Sequence, residues 1–298
     1  MKKAFLILVI LLLITISSFA LADVWVCPIC GKTNTTNFCT FCGTKHDSWR
    51  CPNCGENNSN AFCGTCGTAK PSDIHLFTLL MNGQAMNDTI ADGEILLFKA
   101  SEPLSIKRFC IVAVTYPGEE SDKLIKRLIG LPGDQVRLEN GQLYVNGTAY
   151  EEPYVNDEYR TGPLNTTEEY TVPKKGDAFI VHFEDNRHSF LLNGERWPLR
   201  NSVMKCRDET GKALTIRDGG RTFVYDRKTY NQEDQAHAEE LTKLLISISD
   251  KKFTVDEDYY FVMGDHRNNS SDSRSQGALC SSLILGEMIN KTAPERNP

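Results

Sequence analysis

The sequence carries no excess of positive charge. Its 298 residues include 33 lysines and arginines against 39 aspartates and glutamates, which gives a formal net charge of −6 at pH 7. A protein that holds the phosphate backbone of a nucleic acid usually presents a broad basic surface, and this composition supplies none. We therefore expect no nucleic acid among the partners of this chain.

Helical pattern is scarce as well, because only residues 235–247 form a convincing helical stretch. Beyond residue 76, short apolar runs alternate with turn signals, which is typical of strands. The clearest predicted strands lie at residues 95–98, 109–114, 135–138, 142–145 and 179–183. Between two of them, Asn140-Gly141 suits a type I′ hairpin turn. Residues 76–298 are thus predicted to form a mostly β domain.

One apolar run opens the chain, from residue 4 to residue 22, directly after two lysines. As a helix, its 19 residues would measure roughly 28 Å, about enough to cross a bilayer core. The run also ends in Ala20-Leu21-Ala22, a small-x-small pattern that a signal peptidase could cut. Residues 1–22 are therefore either a single-pass membrane anchor or a cleavable signal peptide. The lysines favour an orientation that leaves the bulk of the chain outside the cytoplasm, associated with the membrane or exported.

Eight of the eleven cysteines are crowded into residues 27–66, which marks a separate module at residues 23–70. A C-P-x-C-G knuckle followed by F-C-x-x-C-G occurs twice, 24 residues apart, so the module is an internal repeat with halves at residues 23–45 and 46–70. A short linker at residues 71–75 follows. The two sets of cysteines are Cys27, Cys30, Cys39 and Cys42, and Cys51, Cys54, Cys63 and Cys66.

Each C-x-x-C pair places two thiolates on one tight turn, and the glycine after it permits the positive-φ geometry in which backbone N–H groups reach the sulfurs. The residues between two knuckles are too few and too polar to form a core, so a bound metal would have to supply the folding energy. These features predict two zinc ribbons, each holding one structural Zn²⁺ through four cysteines. Four disulfides in an oxidising compartment are the alternative, although C-x-x-C disulfides are more often redox-active than structural.

Two segments of the β domain point to chemistry. Lys126 lies among apolar residues, where burial would lower its pKa and let the neutral amine act as a general base. The alternative is an ordinary strand lysine with its ammonium group in water. The second segment, residues 264–274, is a dense polar run entered from an apolar strand. It could hold an Asp–Arg pair and a hydroxyl oriented towards a catalytic amine.

Together these segments resemble type I signal peptidases, the Ser/Lys-dyad serine endopeptidases. Residues 125–134, I-K-R-L-I-G-L-P-G-D, are similar to the family's lysine box, and residues 264–277, G-D-H-R-N-N-S-S-D-S-R-S-Q-G, to its C-terminal box. The resemblance covers residues 79–149 and 259–288, while residues 150–258 fit as the family's variable insertion. It implies a signal-peptidase-like β domain with a β insertion, preceded by a membrane segment and two small zinc ribbons.

The resemblance also implies roles for individual residues. Lys126 corresponds to the general base, and Ser270 to the serine that orients this lysine. Asp272 and Arg274 correspond to the supporting ion pair.

The nucleophile position departs from the family pattern. The family's box reads G-x-S-M-x-P-T-L and fits only residues 83–90, G-Q-A-M-N-D-T-I, so that Ala85 replaces the nucleophilic serine and Asp88 replaces the proline. Alanine has no hydroxyl to attack a scissile carbonyl, and the loss of a nucleophile costs several orders of magnitude in rate. We therefore expect a degenerate signal-peptidase-like membrane protein of the export pathway, which binds small-x-small signal segments or partner proteins.

Two other functions stay open at this point. The chain could be an active type I signal peptidase that uses a different nucleophile, and cleavage that is lost in Lys126→Ala would support this alternative. It could instead be a docking protein, in which the zinc ribbons meet a protein partner and the peptidase-like domain is a scaffold.

Overall fold

The computed structural model describes residues 25–27, 31–34, 36–41, 43, 45, 48–51, 53–60, 62–68, 75–100, 106–116 and 122–292. The chain divides into two compact units, Met1–Pro71 and Ser72–Pro298. The predicted anchor or signal peptide at residues 1–22 lies outside the described residues.

The first unit contains two small antiparallel ribbons, which we call ribbon 1 (residues 23–45) and ribbon 2 (residues 46–70). Their strands are β1 (Trp25–Val26) and β2 (Thr33–Asn34) in ribbon 1, and β3 (Trp49–Arg50) and β4 (Asn57–Asn58) in ribbon 2. In ribbon 2 the indole of Trp49 is buried with Cys51 and Cys63 and donates a hydrogen bond to the carbonyl oxygen of Asn60 at 2.7 Å. This small cluster is the apolar core of the ribbon.

The second unit is built almost entirely from strands. In chain order these are β5 (His75–Leu80), β6 (Ile95–Ala100), β7 (Ile111–Val114), β8 (Leu124–Gly130), β9 (Gln135–Glu139), β10 (Gln142–Val145), β11 (Thr148–Tyr150), β12 (Tyr170–Thr171), β13 (Ala178–Glu184), β14 (Arg187–Leu192), β15 (Glu195–Arg196), β16 (Met204–Arg207), β17 (Ala213–Arg217), β18 (Thr222–Tyr225), β19 (Lys228–Asn231), β20 (Lys252–Val255), β21 (Tyr259–Met263), β22 (Leu279–Cys280) and β23 (Ile284–Thr292). The described α-helices are α1 (Gln235–Ile248) and α2 (Ser273–Gln276), and short 3₁₀ helices lie at Asp157–Arg160, Pro163–Asn165, Asp218–Gly220 and Ser281–Leu283.

The predicted fold class, mostly β with little helix, is confirmed. Each predicted strand is present within a few residues of its expected bounds, and α1 follows the predicted helix closely. The strand expected from residue 109 begins at Ile111, because Phe109 adopts a positive φ of 70° that is incompatible with an extended backbone. Asn140 and Gly141 both have positive φ, as the predicted type I′ turn requires.

The strands of the second unit form three antiparallel sheets. A seven-stranded sheet has the order β22-β21-β8-β7-β23-β6-β5, and an eight-stranded sheet has the order β15-β14-β13-β20-β16-β17-β18-β19. A four-stranded sheet, β11-β10-β9-β12, is the third. In the seven-stranded sheet, β8, which carries Lys126, lies between β21 and β7.

The segment that fits the family's variable insertion, residues 150–258, shares a hydrophobic core with the rest of the unit. Phe179 and Phe253 of this segment belong to the same buried cluster as Ile129 of β8 and Phe261 of β21. The insertion is therefore a structural layer of the domain.

Candidate functional site

The segment predicted to replace the nucleophile box, residues 83–90, is a turn between β5 and β6. Met86 and Ile90 are buried in the hydrophobic core and anchor the turn from within. Ala85 directly precedes the first anchor, and its carbonyl oxygen accepts a hydrogen bond from the backbone N–H of His266 at 3.1 Å. Position 85 is thus held against the polar segment predicted to be the C-terminal box.

Lys126 lies on β8, in a ladder with β7 and close to the end of the ladder with β21. It is only 3% exposed. This burial lowers the pKa of Lys126 below its ordinary value of 10.5. The carboxylate of Asp272 partly opposes this shift, and the cation of Arg274 adds to it. Such a lysine gives up its proton more readily than one in water, as a general base must.

Replacement of this lysine is expected to stabilise the fold. Because burial lowers the pKa of Lys126 in the folded chain, keeping this amine buried costs stability at pH values well below its ordinary pKa. Lys126→Met should therefore melt at a higher temperature than the natural chain at pH 7. The difference should narrow as the pH rises towards 10.5, where the unfolded chain also loses this proton.

The control is Lys123→Met, since Lys123 precedes the same strand and is exposed. This variant should melt like the natural chain throughout the pH range. A Lys126→Met variant that is less stable at pH 7, or whose advantage does not shrink at high pH, would show that the amine is solvated.

Asp272 and Arg274 form a buried, bidentate ion pair. The two Arg274-to-Asp272 hydrogen bonds measure 2.9 Å from Nε and 2.8 Å from Nη2, and Asp272 also accepts the backbone N–H of Gly264 at 3.0 Å. Burial by itself would raise the pKa of Asp272, but the cation of Arg274 and these hydrogen bonds hold it below its usual range. The carboxylate therefore stays ionised and fixes the electrostatic surroundings of Lys126.

Gly264 is the residue at which the two segments meet. A Cβ atom here would stand 2.5 Å from the carbonyl oxygen of Ala85 and closer still to the hydroxyl oxygen of Ser270. Only glycine permits so close an approach of the backbone. The hydroxyl of Ser270 is buried, and no hydrogen bond joins it to Lys126. Ala85 and Ser270 thus both pack against Gly264. The hydrogen bond between Ser270 and Lys126 that the resemblance implies is not formed.

A side chain at position 264 is expected to damage the domain. Gly264→Ala should lower the free energy of unfolding by about 1–3 kcal/mol, because the added methyl group forces the Ala85 and Ser270 segments apart. Denaturant unfolding measures this effect. Gly64→Ala in ribbon 2 is a control, since no atom lies within 4 Å of that Cβ position. Equal stability of the Gly264→Ala variant and the natural chain would contradict the close packing.

A second polar contact ties the turn to the C-terminal segment. The hydroxyl of Thr89 donates a hydrogen bond to Asp265 at 2.5 Å, and Arg127, next to Lys126 on β8, binds the same carboxylate through Nε at 2.8 Å. The guanidinium of Arg127 also lies over the ring of Tyr154, 3.8 Å from its centroid. Thr89 is therefore engaged in holding the turn in place.

One buried ion pair was missed by the sequence-based prediction. Arg267 binds Glu152 through both terminal nitrogens, and both side chains are essentially inaccessible to solvent. Arg267 also donates from Nε to the carbonyl oxygen of Gly264 at 3.0 Å. The insertion thus supplies the counter-ion that fixes this part of the polar segment. No local signal in the sequence links two residues 115 positions apart.

The second departure from the family's box has a conformational consequence. Asp88 has a φ of 71°, whereas proline is restricted to a φ near −65°. Its carboxylate accepts a hydrogen bond from the side-chain amide of Asn156 at 3.2 Å. Tyr159, from the same stretch of the insertion, stacks on His266 with ring centroids 3.8 Å apart. The turn therefore has a backbone that the family's proline could not adopt.

In ribbon 2 the four predicted cysteine ligands converge. The sulfurs of Cys51, Cys54, Cys63 and Cys66 all lie within 4.8 Å of one another. The sulfurs of Cys51 and Cys66 are 3.4 Å apart and those of Cys54 and Cys63 are 3.5 Å apart, too far for a disulfide bond. Four thiolates bound to Zn²⁺ at about 2.3 Å would be separated by about 3.8 Å. The donor set therefore fits a tetrahedral metal ion.

Ribbon 1 is described less completely. Cys27 and Cys39 are buried there, as are their counterparts Cys51 and Cys63. The other two predicted ligands, Cys30 and Cys42, lie outside the described residues.

Among the residues that the structure describes, no helix is long and apolar enough to cross a membrane.

Comparison with known proteins identifies relatives of the second unit. The profile of the family "Signal peptidase, peptidase S26" matches residues 72–197 and 201–291. The chain is 28% identical over 207 residues to signal peptidase I of Streptococcus pneumoniae, with 70% of this chain and 77% of that protein covered. It is 30% identical over 131 residues to signal peptidase I U of Bacillus subtilis, with 42% of this chain and 70% of that protein covered.

The crystal structure of a signal peptidase I from Enterococcus faecalis matches with a TM-score of 0.30 and 22% identity, and covers 62% of this chain and 98% of that chain. The family profile runs through both predicted boxes and through most of residues 150–258. The similarity is thus wider than the two stretches recognised from motifs.

Proposed function

The chain belongs to the signal peptidase family, peptidase S26, and from this premise we propose that it is a catalytically degenerate member that binds small-x-small segments of exported polypeptides. In this proposal Lys126 keeps the position of the general base, and Ser270, Asp272 and Arg274 keep the supporting positions. Ala85 stands where the nucleophile would be. The protein would act as a receptor, a decoy or an assembly factor of the export pathway.

The observation that carries the proposal is a buried lysine with a lowered pKa in a domain whose position 85 has no hydroxyl. A buried, ionisable amine is costly, and the buried Asp272–Arg274 ion pair that acts on its pKa is costly to keep as well. A site that had lost every role would be free to replace these groups with apolar ones. Their presence in a domain whose position 85 is alanine supports a site that is retained for binding.

The described nucleophiles near the site argue against the alternative of an active enzyme. The hydroxyl of Thr89 is committed to Asp265. The thiol of Cys110 has its pKa raised to about 12 by burial and by the charge of Glu287, so it is protonated at neutral pH and a poor nucleophile. These features favour a disarmed site over a substituted one.

In this proposal an extended peptide binds along β8 beside Lys126. The ladder between β8 and β21 ends at Arg127, whereas β7 pairs with β8 as far as Leu124. Among the described strands, none pairs with residues 124–126 on the β21 side. Strand addition along this stretch would supply main-chain hydrogen bonds, and small side chains would fit next to the turn that carries Ala85.

A binding measurement with the full chain in detergent tests the proposal. A fluorescent peptide with an A-x-A site should bind at least about tenfold more tightly than the same peptide with phenylalanine at both alanine positions, because the proposed site selects small side chains. Fluorescence anisotropy measures both affinities. Equal affinities, or no binding of either peptide, would contradict the proposal.

For the ribbons we propose structural Zn²⁺, supported by the converging sulfurs of ribbon 2 and by the repeated cysteine spacing. The ion would link two knuckles that have almost no apolar core and so stabilise the fold of each ribbon. Metal analysis of the purified chain should find two zinc ions, and Cys51→Ser should lose one of them. An unchanged metal content in this variant would contradict the assignment.

A further inference from the structure

The described part of ribbon 1 carries an exposed face of two aromatic and two basic side chains. Phe38 and Phe41 are 58% and 72% exposed, although phenylalanine side chains are mostly buried in soluble domains. Nζ of Lys32 lies 5.7 Å from the ring centroid of Phe41, and Lys45 pairs with Phe38 in an isolated β bridge. Both lysines are exposed. We call these four residues the basic-aromatic face.

The internal repeat shows which of these residues the ribbon fold requires. Ribbon 2 has the same cysteine spacing and the same strand pairing, displaced by 24 residues. In the order Lys32, Phe38, Phe41 and Lys45, the equivalents in ribbon 2 are Glu56, Phe62, Thr65 and Ala69. Only the first phenylalanine is kept, so both lysines and the second phenylalanine are dispensable for folding. Their combination in ribbon 1 therefore indicates binding.

The position of ribbon 1 in the chain points to the surface that it meets. Only four residues separate the apolar run at residues 4–22 from Cys27, which leaves a span of at most about 18 Å when extended. An apolar run in a bilayer would thus hold ribbon 1 at the lipid headgroups, with ribbon 2 following it. Aromatic rings and lysines are the side chains that bind in this layer, the rings at the edge of the acyl chains and the ammonium groups at the phosphates.

We propose that the basic-aromatic face of ribbon 1 docks onto an anionic phospholipid surface. Lys32 and Lys45 meet the lipid phosphates, and the rings of Phe38 and Phe41 insert beside them. In ribbon 2 the acidic Glu56 repels the same surface. This interaction is independent of peptide binding by the second unit.

The experiment uses the full chain in vesicles of phosphatidylcholine with and without phosphatidylglycerol. A photoreactive phenylalanine analogue, p-benzoylphenylalanine, is placed at position 41 in one variant and at position 65 in the other. These are equivalent positions of the repeat, so they differ in the face that surrounds them. After illumination, intact-mass measurement counts lipid adducts.

The expected result is lipid adducts at position 41 that require phosphatidylglycerol and exceed those at position 65 at least about fivefold. Lys32→Glu, which installs the residue of ribbon 2, should reduce them by a further factor of about five, since each surface lysine contributes about that much to anionic lipid binding. An unchanged zinc content of this variant verifies that the ribbon is folded.

Three outcomes would overturn the inference. Equal adducts at positions 41 and 65 would mean that proximity to the bilayer alone explains the contact. Adducts that do not depend on phosphatidylglycerol would exclude the lysines from the interaction. Crosslinks from position 41 to a second copy of the chain, in place of lipid, would make the face a protein interface.

Discussion

An Ala85→Ser variant is expected to cut a peptide with an A-x-A site at least about a hundredfold faster than the natural chain. Removal of the nucleophile from serine proteases costs on the order of 10⁶ in kcat, so restoring a hydroxyl at position 85 should recover a measurable part of that factor if Lys126 serves as its base. Full recovery is not expected, because the turn with Asp88 has a backbone that differs from one built on proline. Fluorogenic peptide cleavage measures the rate.

The gain must depend on the lysine. In the Ala85→Ser/Lys126→Ala double variant, cleavage should return to the background of the natural chain, because a nucleophile and its base act as a unit and their effects are not additive. Lys123→Ala in the Ala85→Ser background is the matched control and should keep the activity. If Ala85→Ser cleaves equally well with and without Lys126, the amine is not the base.

Asp272→Ala is expected to lower the free energy of unfolding by about 3–5 kcal/mol. The substitution leaves the guanidinium of Arg274 buried without its counter-ion and the N–H of Gly264 without its acceptor, and a broken buried ion pair is costly for this reason. Urea unfolding followed by the circular dichroism of the sheets measures the loss.

The control for this prediction is an exposed ion pair of the same domain. Arg137 and Glu139 are close in space, but their side chains are 33% and 52% exposed. Glu139→Ala should therefore change the stability by no more than about 1 kcal/mol. Similar losses in Asp272→Ala and Glu139→Ala would mean that water reaches the Asp272–Arg274 pair.

Short-range patterns accounted for much of the fold. The turn at Asn140-Gly141 and the helix α1 depend on residues within a few positions of each other, and both were predicted correctly. The apolar neighbours of Lys126 on β8 left both a buried and a solvated amine open, and the structure shows the side chain buried. Local sequence determines the turn and the helix directly.

Features that depend on distant residues could not be predicted. Thr89 and Asp265 are 176 positions apart, and Arg267 meets Glu152 across 115 positions, so neither contact leaves a periodic trace in the sequence. The role of residues 150–258 as part of the core is of the same kind, because it follows from how the sheets stack. Residues 83–90 were identified by resemblance. The positive φ of Asp88 was not predicted, because the backbone conformation of this turn depends on the residues packed around it.

The most direct test of a disarmed, peptide-binding site is the fate of the peptide on the natural chain. The full chain is incubated in detergent with an A-x-A peptide. The bound peptide is then recovered, and its mass is measured by mass spectrometry. We expect the peptide to be bound and intact. Recovery of fragments cut after the A-x-A site, with the cleavage lost in Lys126→Ala, would contradict the proposal and identify an active peptidase with another nucleophile.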